Sequence, residues 1–61
     1  MNVVEAIQFR ARRNAGEQWL LVVEGYRPPV GFWIEWQGKQ HQIVGHEDGQ
    51  GRKGVVLGGA V

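Results

Sequence analysis

Phe32-Trp33-Ile34-Glu35-Trp36-Gln37-Gly38-Lys39-Gln40-His41-Gln42-Ile43-Val44-Gly45-His46 is the stretch that decides the fold. In an extended chain successive side chains point to opposite faces, so Phe32, Ile34 and Trp36 fall on one side and Trp33 and Glu35 on the other. Gln37-Gly38-Lys39-Gln40 supplies a glycine-containing turn. His41 to His46 then reads as the return strand, with Ile43 on one side and Val44 on the other. The hairpin predicts a β protein whose core takes Phe32, Ile34 and Trp36, with Trp19 opposite them.

Ten glycines and two prolines cut the rest of the chain into runs of strand length. Ala6 to Arg13 alternates, with Ile7, Phe9 and Ala11 on one side and Gln8, Arg10 and Arg12 on the other. Asn14-Ala15-Gly16-Glu17 reads as a turn. Gln18 to Glu24 carries Trp19, Leu21 and Val23 on one face and Leu20 and Val22 on the other, and a strand apolar on both faces is expected in the middle of a sheet. Gly25-Tyr26-Arg27-Pro28-Pro29 cannot continue a ladder, because proline has no N–H to donate, and reads as a stiff connecting loop. Glu47 to Gly54 reads as a flexible charged loop. Val55-Val56-Leu57 reads as a short closing strand, weakened by Gly58-Gly59 and available to add to a partner's edge.

The N-terminal segment has a second reading. Asn2 with Glu5 three residues on resembles a capping box, Val3, Val4, Ile7 and Ala11 share a helical face, and Gly16 suits a C-cap. Strand is preferred, because Phe9 and the β-branched Val3, Val4 and Ile7 favour extended geometry and Gln18 to Val23 needs a neighbour. The expectation is one all-β domain over residues 1–61: a small five-stranded antiparallel meander or SH3-like partial barrel, with a short N-terminal helix as the alternative.

One local stretch bears on the same fold. Trp36-Gln37-Gly38 and Gln42-Ile43-Val44-Gly45 resemble a segment of the small plasmid-borne type II dihydrofolate reductases, SH3-like barrels assembled into a tetramer around a shared active site. In that family the two pieces adjoin, whereas Lys39-Gln40-His41 separates them here. The family's active-site Val-Gln-Ile-Tyr run becomes His41-Gln42-Ile43-Val44, without the tyrosine. The resemblance implies the barrel and does not carry the reductase site.

Composition narrows the chemistry. Among the 61 residues there is no serine, threonine or cysteine, so Tyr26 holds the only side-chain hydroxyl. Serine and cysteine hydrolase arrangements are excluded, and so is a phosphate loop, which needs Ser or Thr after its lysine. A domain this short buries only about 60% of its unfolded surface. With no disulfide available, self-association is an expected source of stability. The net charge is +1, far from a strongly basic nucleic-acid protein. No apolar run approaches the roughly 20 residues that span a bilayer, and no signal peptide is read at the N-terminus, so a cytosolic protein is expected.

Four constellations remain. Gln8, Arg10 and Arg12 on one strand face repeat at roughly 6.7 Å, near the phosphate spacing of a nucleic-acid strand. With Arg13, Lys39, Arg52 and Lys53 they form a candidate nucleic-acid face, against which stands a solvated surface whose arginines pair with Glu17 or Glu24. Tyr26 and Trp33, beside Pro28-Pro29, form a candidate aromatic shelf for a protein or peptide partner, as in adaptor or inhibitor modules of phages and mobile elements. Glu35, between Trp33 and Trp36, is the candidate acid or base, with a solvent-facing carboxylate as the plainer reading. His41, His46, Glu47 and Asp48 contain enough donors for a metal, but residues five apart on a strand face opposite ways unless the chain bends at Gly45, so no metal or cofactor is expected. The leading reading is a non-catalytic nucleic-acid-binding module. The alternatives are a protein-binding module and an enzyme whose site forms only between subunits.

Overall fold

The structure, a computed structural model, describes residues 2–10 and 17–60. Five strands form one antiparallel sheet: β1 (Asn2–Arg10), β2 (Glu17–Glu24), β3 (Trp33–Trp36), β4 (Lys39–Gly49) and β5 (Arg52–Ala60). No helix occurs among the described residues, and none is long and apolar enough to cross a membrane. The order across the sheet is β1-β2-β5-β4-β3. A hairpin, β1-β2, is thus joined to a three-strand run that begins at the far edge and works back until β5 pairs with β2.

Two Gln-Gly dipeptides make the tight turns. Gln37-Gly38 joins β3 to β4 and Gln50-Gly51 joins β4 to β5, and all four residues have positive φ: 53° and 78°, then 53° and 74°. Two successive left-handed residues match the right-handed twist of the flanking strands.

The sheet is curled into a half-barrel. Trp19 on β2 and Trp36 on β3 have ring centroids 5.0 Å apart although β5 and β4 lie between them. A flat sheet would hold those strands roughly 14 Å apart. The inner face encloses Leu21, Val23, Ile43, Val55 and Leu57, with Trp19, Ile34 and Trp36 packed against them. Each such side chain contributes about 1.5 to 3 kcal/mol by leaving water. His41 joins this core at 8% exposure, its Nδ1–H donating to the Gly58 carbonyl at 2.9 Å and its ring set edge-on to Trp36.

The outer face is apolar too. Cross-strand partners share a face, so the register sets Ile7 beside Leu20, Leu20 beside Val56, and Val22 beside Gly54. Gly54 is needed there: a Cβ would stand 2.8 Å from both the Leu20 Cδ1 and the Glu47 carbonyl oxygen.

Several expectations change. β4 runs on to Gly49 and β5 begins at Arg52, so the charged loop over Glu47 to Gly54 is a strand–turn–strand. The closing strand is long and central, and its backbone groups already pair with β2 and β4. From Lys53 to Leu57 it lies between β2 and β4 and offers no edge to a partner. Phe32 is 55% exposed rather than buried, because β3 starts only at Trp33 and the turn at Gly31 (φ 101°), closed by Phe32 N–H to the Pro29 carbonyl, takes Phe32 out of the alternation. The N-terminal segment is a strand through Arg10. The turn over Asn14-Ala15-Gly16 and the continuation through Ala11, Arg12 and Arg13 lie outside the described residues.

A split basic face and an aromatic corner

The register separates the expected cations. Arg10 stands opposite Glu17 at the sheet end where Lys39 begins β4 and Ala60 closes β5. Arg52 and Lys53 lie at the other end, opposite Gly49 and Asp48. Ten residues of β4 separate the two groups, on the order of 30 Å of strand. Arg52 is committed, its Nη2 donating to Glu5 Oε1 at 2.5 Å across the outer face of β2. Gln8 stands beside Trp19 in the register and is exposed. Arg12 and Arg13 lie outside the described residues.

The aromatic candidates also separate. Residues 25–32 form a strap along the free side of β4. Arg27 hydrogen-bonds Asp48, His46 Nε2–H donates to the Pro28 carbonyl at 2.8 Å, and Gly31 N–H donates to Ile43 O at 2.8 Å. Ile43 N–H returns a bond to Phe32 O, also 2.8 Å, and Gln42 Nε2 donates to Gly31 O at 3.1 Å. Tyr26, 73% exposed, therefore stands at the Asp48 end. Trp33, 51% exposed, stands at the Gln42 end, roughly 20 Å of strand away. They do not form one shelf. Val30 and Phe32, which precede Trp33 on the strap, are exposed as well, and so is Val44, two positions beyond Gln42, the cross-strand partner of Trp33.

The carboxylates nearest the expected sites are solvent-facing or paired. Glu35 is exposed on the outer face with Trp33, opposite Gln40 in the β3-β4 hairpin. The Arg27 guanidinium, hydrogen-bonded to Asp48, holds its carboxyl below the usual carboxylate range, with help from the Gly54 backbone and the nearby His46. A carboxylate kept ionised in this way is a poor proton carrier near neutral pH.

The two histidines share the inner face, contrary to the simple parity of a strand. An irregularity between Ile43 and Gly45 shifts the register, so His46 partners Val55 while Ile43 partners Leu57. They still do not converge: His41 is tied to Gly58 and His46 to Pro28. Among the described residues no three His, Cys, Asp or Glu side chains cluster as a metal site.

A groove of about 340 Å³ opens on the outer face, with Ile7, Phe9, Leu20 and Val22 on its apolar side and the β4-β5 hairpin tip as its charged wall. The sequence signal for it was present in the second, outward row of apolar residues on β1 and β2. No protein-family model matches this chain, and neither a curated protein nor a solved structure is significantly similar to it.

Proposed function

We propose that the chain is a small non-catalytic binding module that grips a protein partner through the corner formed by Val30, Phe32 and Trp33. The observation that carries this reading is that two large apolar side chains, Phe32 at the end of the strap (55% exposed) and Trp33 at the start of β3 (51% exposed), stand where two backbone hydrogen bonds of 2.8 Å pin the chain to Ile43. Anchors held in place before binding lose little entropy on docking, and tryptophan dominates interface hot spots. The test is affinity capture with the immobilised protein, with and without nuclease, at low and high salt. A protein retained at high salt, insensitive to nuclease and lost with Trp33→Ala supports the reading. Retention that survives Trp33→Ala sinks it.

Nucleic-acid binding is the second reading, supported by Arg10 and Lys39 sharing one sheet end, with Arg12 and Arg13 following Arg10 in the sequence. It requires binding that weakens steeply with salt and falls when Arg10 and Arg12 become Ala. Absence of binding to both DNA and RNA at low salt removes it.

A further inference from the structure

The sheet has two edges, and among the described residues only one is guarded. On the β3 side the edge strand is four residues long, and the strap covers the rest of β4 with Pro28-Pro29, which have no N–H to offer another strand. On the other side β1 runs nine residues, pairs with β2 along one flank, and has no strand on its other flank among the described residues. Short length, proline, lysine and bulges are the devices that blunt an edge. β1 has only the irregularity between Val3 and Glu5, which leaves Glu5 to Arg10 in unbroken register with β2. Val3, Val4 and Ile7 on this strand are all exposed.

We propose that β1 is a self-association edge, on which a second copy lays its own β1 antiparallel about a two-fold axis to make one continuous ten-stranded sheet. Three features select a second copy as the occupant. The strand holds one acid and one base, Glu5 and Arg10, so two copies meet without net like charge. A two-fold axis perpendicular to the sheet keeps faces matched, so Ile7 and Phe9 of both copies join on the outer side, extending the apolar row of Leu20 and Val22. An isologous contact uses the same patch twice and is closed. Because the β3 edge is guarded, assembly stops at two chains and does not run on into a filament. The central position of β5 removes the C-terminal strand from contention.

Light scattering on the intact chain tests the stoichiometry and amide exchange tests the location. The expected mass is twice the 6.9 kDa of one chain. Every second amide between Glu5 and Arg10, the set directed away from β2, should be protected in a concentration-dependent way. Ile7→Lys should return the protein to a monomer with its β circular dichroism retained. Should that variant fail to fold, single cysteines at Ala6, Ile7 and Gln8, introduced into a chain that has none, report instead. One of them should form a disulfide-linked dimer under mild oxidation at least tenfold faster than Lys39→Cys. A monomer up to millimolar concentration, a species larger than a dimer, unprotected β1 amides in a dimer, or cross-linking no faster than the Lys39→Cys control overturns the proposal.

Discussion

The two edges of this sheet solve the same problem in opposite ways. On the β3 side the chain spends residues 25–32 on covering its own backbone, with Pro28 buried and Pro29 exposed, side chains from β4 holding the strap, and the Trp19–Trp36 contact drawing the edge inward. On the β1 side no described segment covers the backbone: eight residues pair with β2 on one flank, and the described side chains are exposed except for the half-buried Phe9. The guarded half is held by side-chain contacts as well as backbone bonds, whereas β1 is held mainly by backbone pairing to β2 and the exposed Arg52–Glu5 pair. Substitutions should therefore cost far more on the first side than on the second.

Trp36→Ala should be the most damaging change, removing the ring that meets Trp19 across the curl and costing about 3 kcal/mol in chemical denaturation. A loss below about 1 kcal/mol would mean that the curl does not depend on this contact. His41→Ala should cost about 2 kcal/mol by leaving the Gly58 carbonyl without its donor and a gap beside Trp36. An unchanged denaturation midpoint would refute it.

The Arg27–Asp48 pair should show itself through acid. Asp48 has a lower pKa when folded than when unfolded, so the unfolded chain takes up its proton first. The pair's contribution is complete above the ordinary carboxylate value of 3.8 and is lost as pH falls through the lower folded value. Below about pH 4 the wild type should lose stability more steeply than Asp48→Asn, and above about pH 5 the gap between them should be constant. Parallel acid-unfolding curves would contradict this. The smallest effect belongs to the bare edge: Val4→Thr, at a position 52% exposed, should stay within about 0.5 kcal/mol of wild type. A larger loss would show that β1 carries packing beyond its pairing with β2.

Alternation made the strands legible where side chains alternate cleanly. Ile34 and Trp36 turn inward and Trp33 and Glu35 outward as the spacing predicts, and β2, apolar on both faces, lies between two neighbours. The β4-β5 hairpin was hidden because its tip is glycine and charge, residues that read as loop, although Gln50-Gly51 repeats the Gln37-Gly38 turn. Register irregularities were invisible as well: one between Ile43 and Gly45 puts His46 on the face that parity denies it. The candidate site was legible only in part. Trp33 is exposed on the face that the alternation assigns it, but its distance from Tyr26 depends on the path of the strap, and the division of the cations depends on strand order. Neither is a local property of the sequence.

Strand order also sets the timetable of folding. Trp19 pairs with Leu57, 38 positions later, and no sequence-neighbouring strand can stand in for β5 on that flank of β2. Until β5 arrives, β1-β2 is a lone two-stranded hairpin, a unit marginally stable in water. Closing so long a loop before its contacts reward it slows folding relative to a chain of local hairpins. A nascent or partly unfolded chain therefore exposes Leu20, Val22 and both flanks of the hairpin for longest, which makes docking of the last strand the step that separates folding from aggregation.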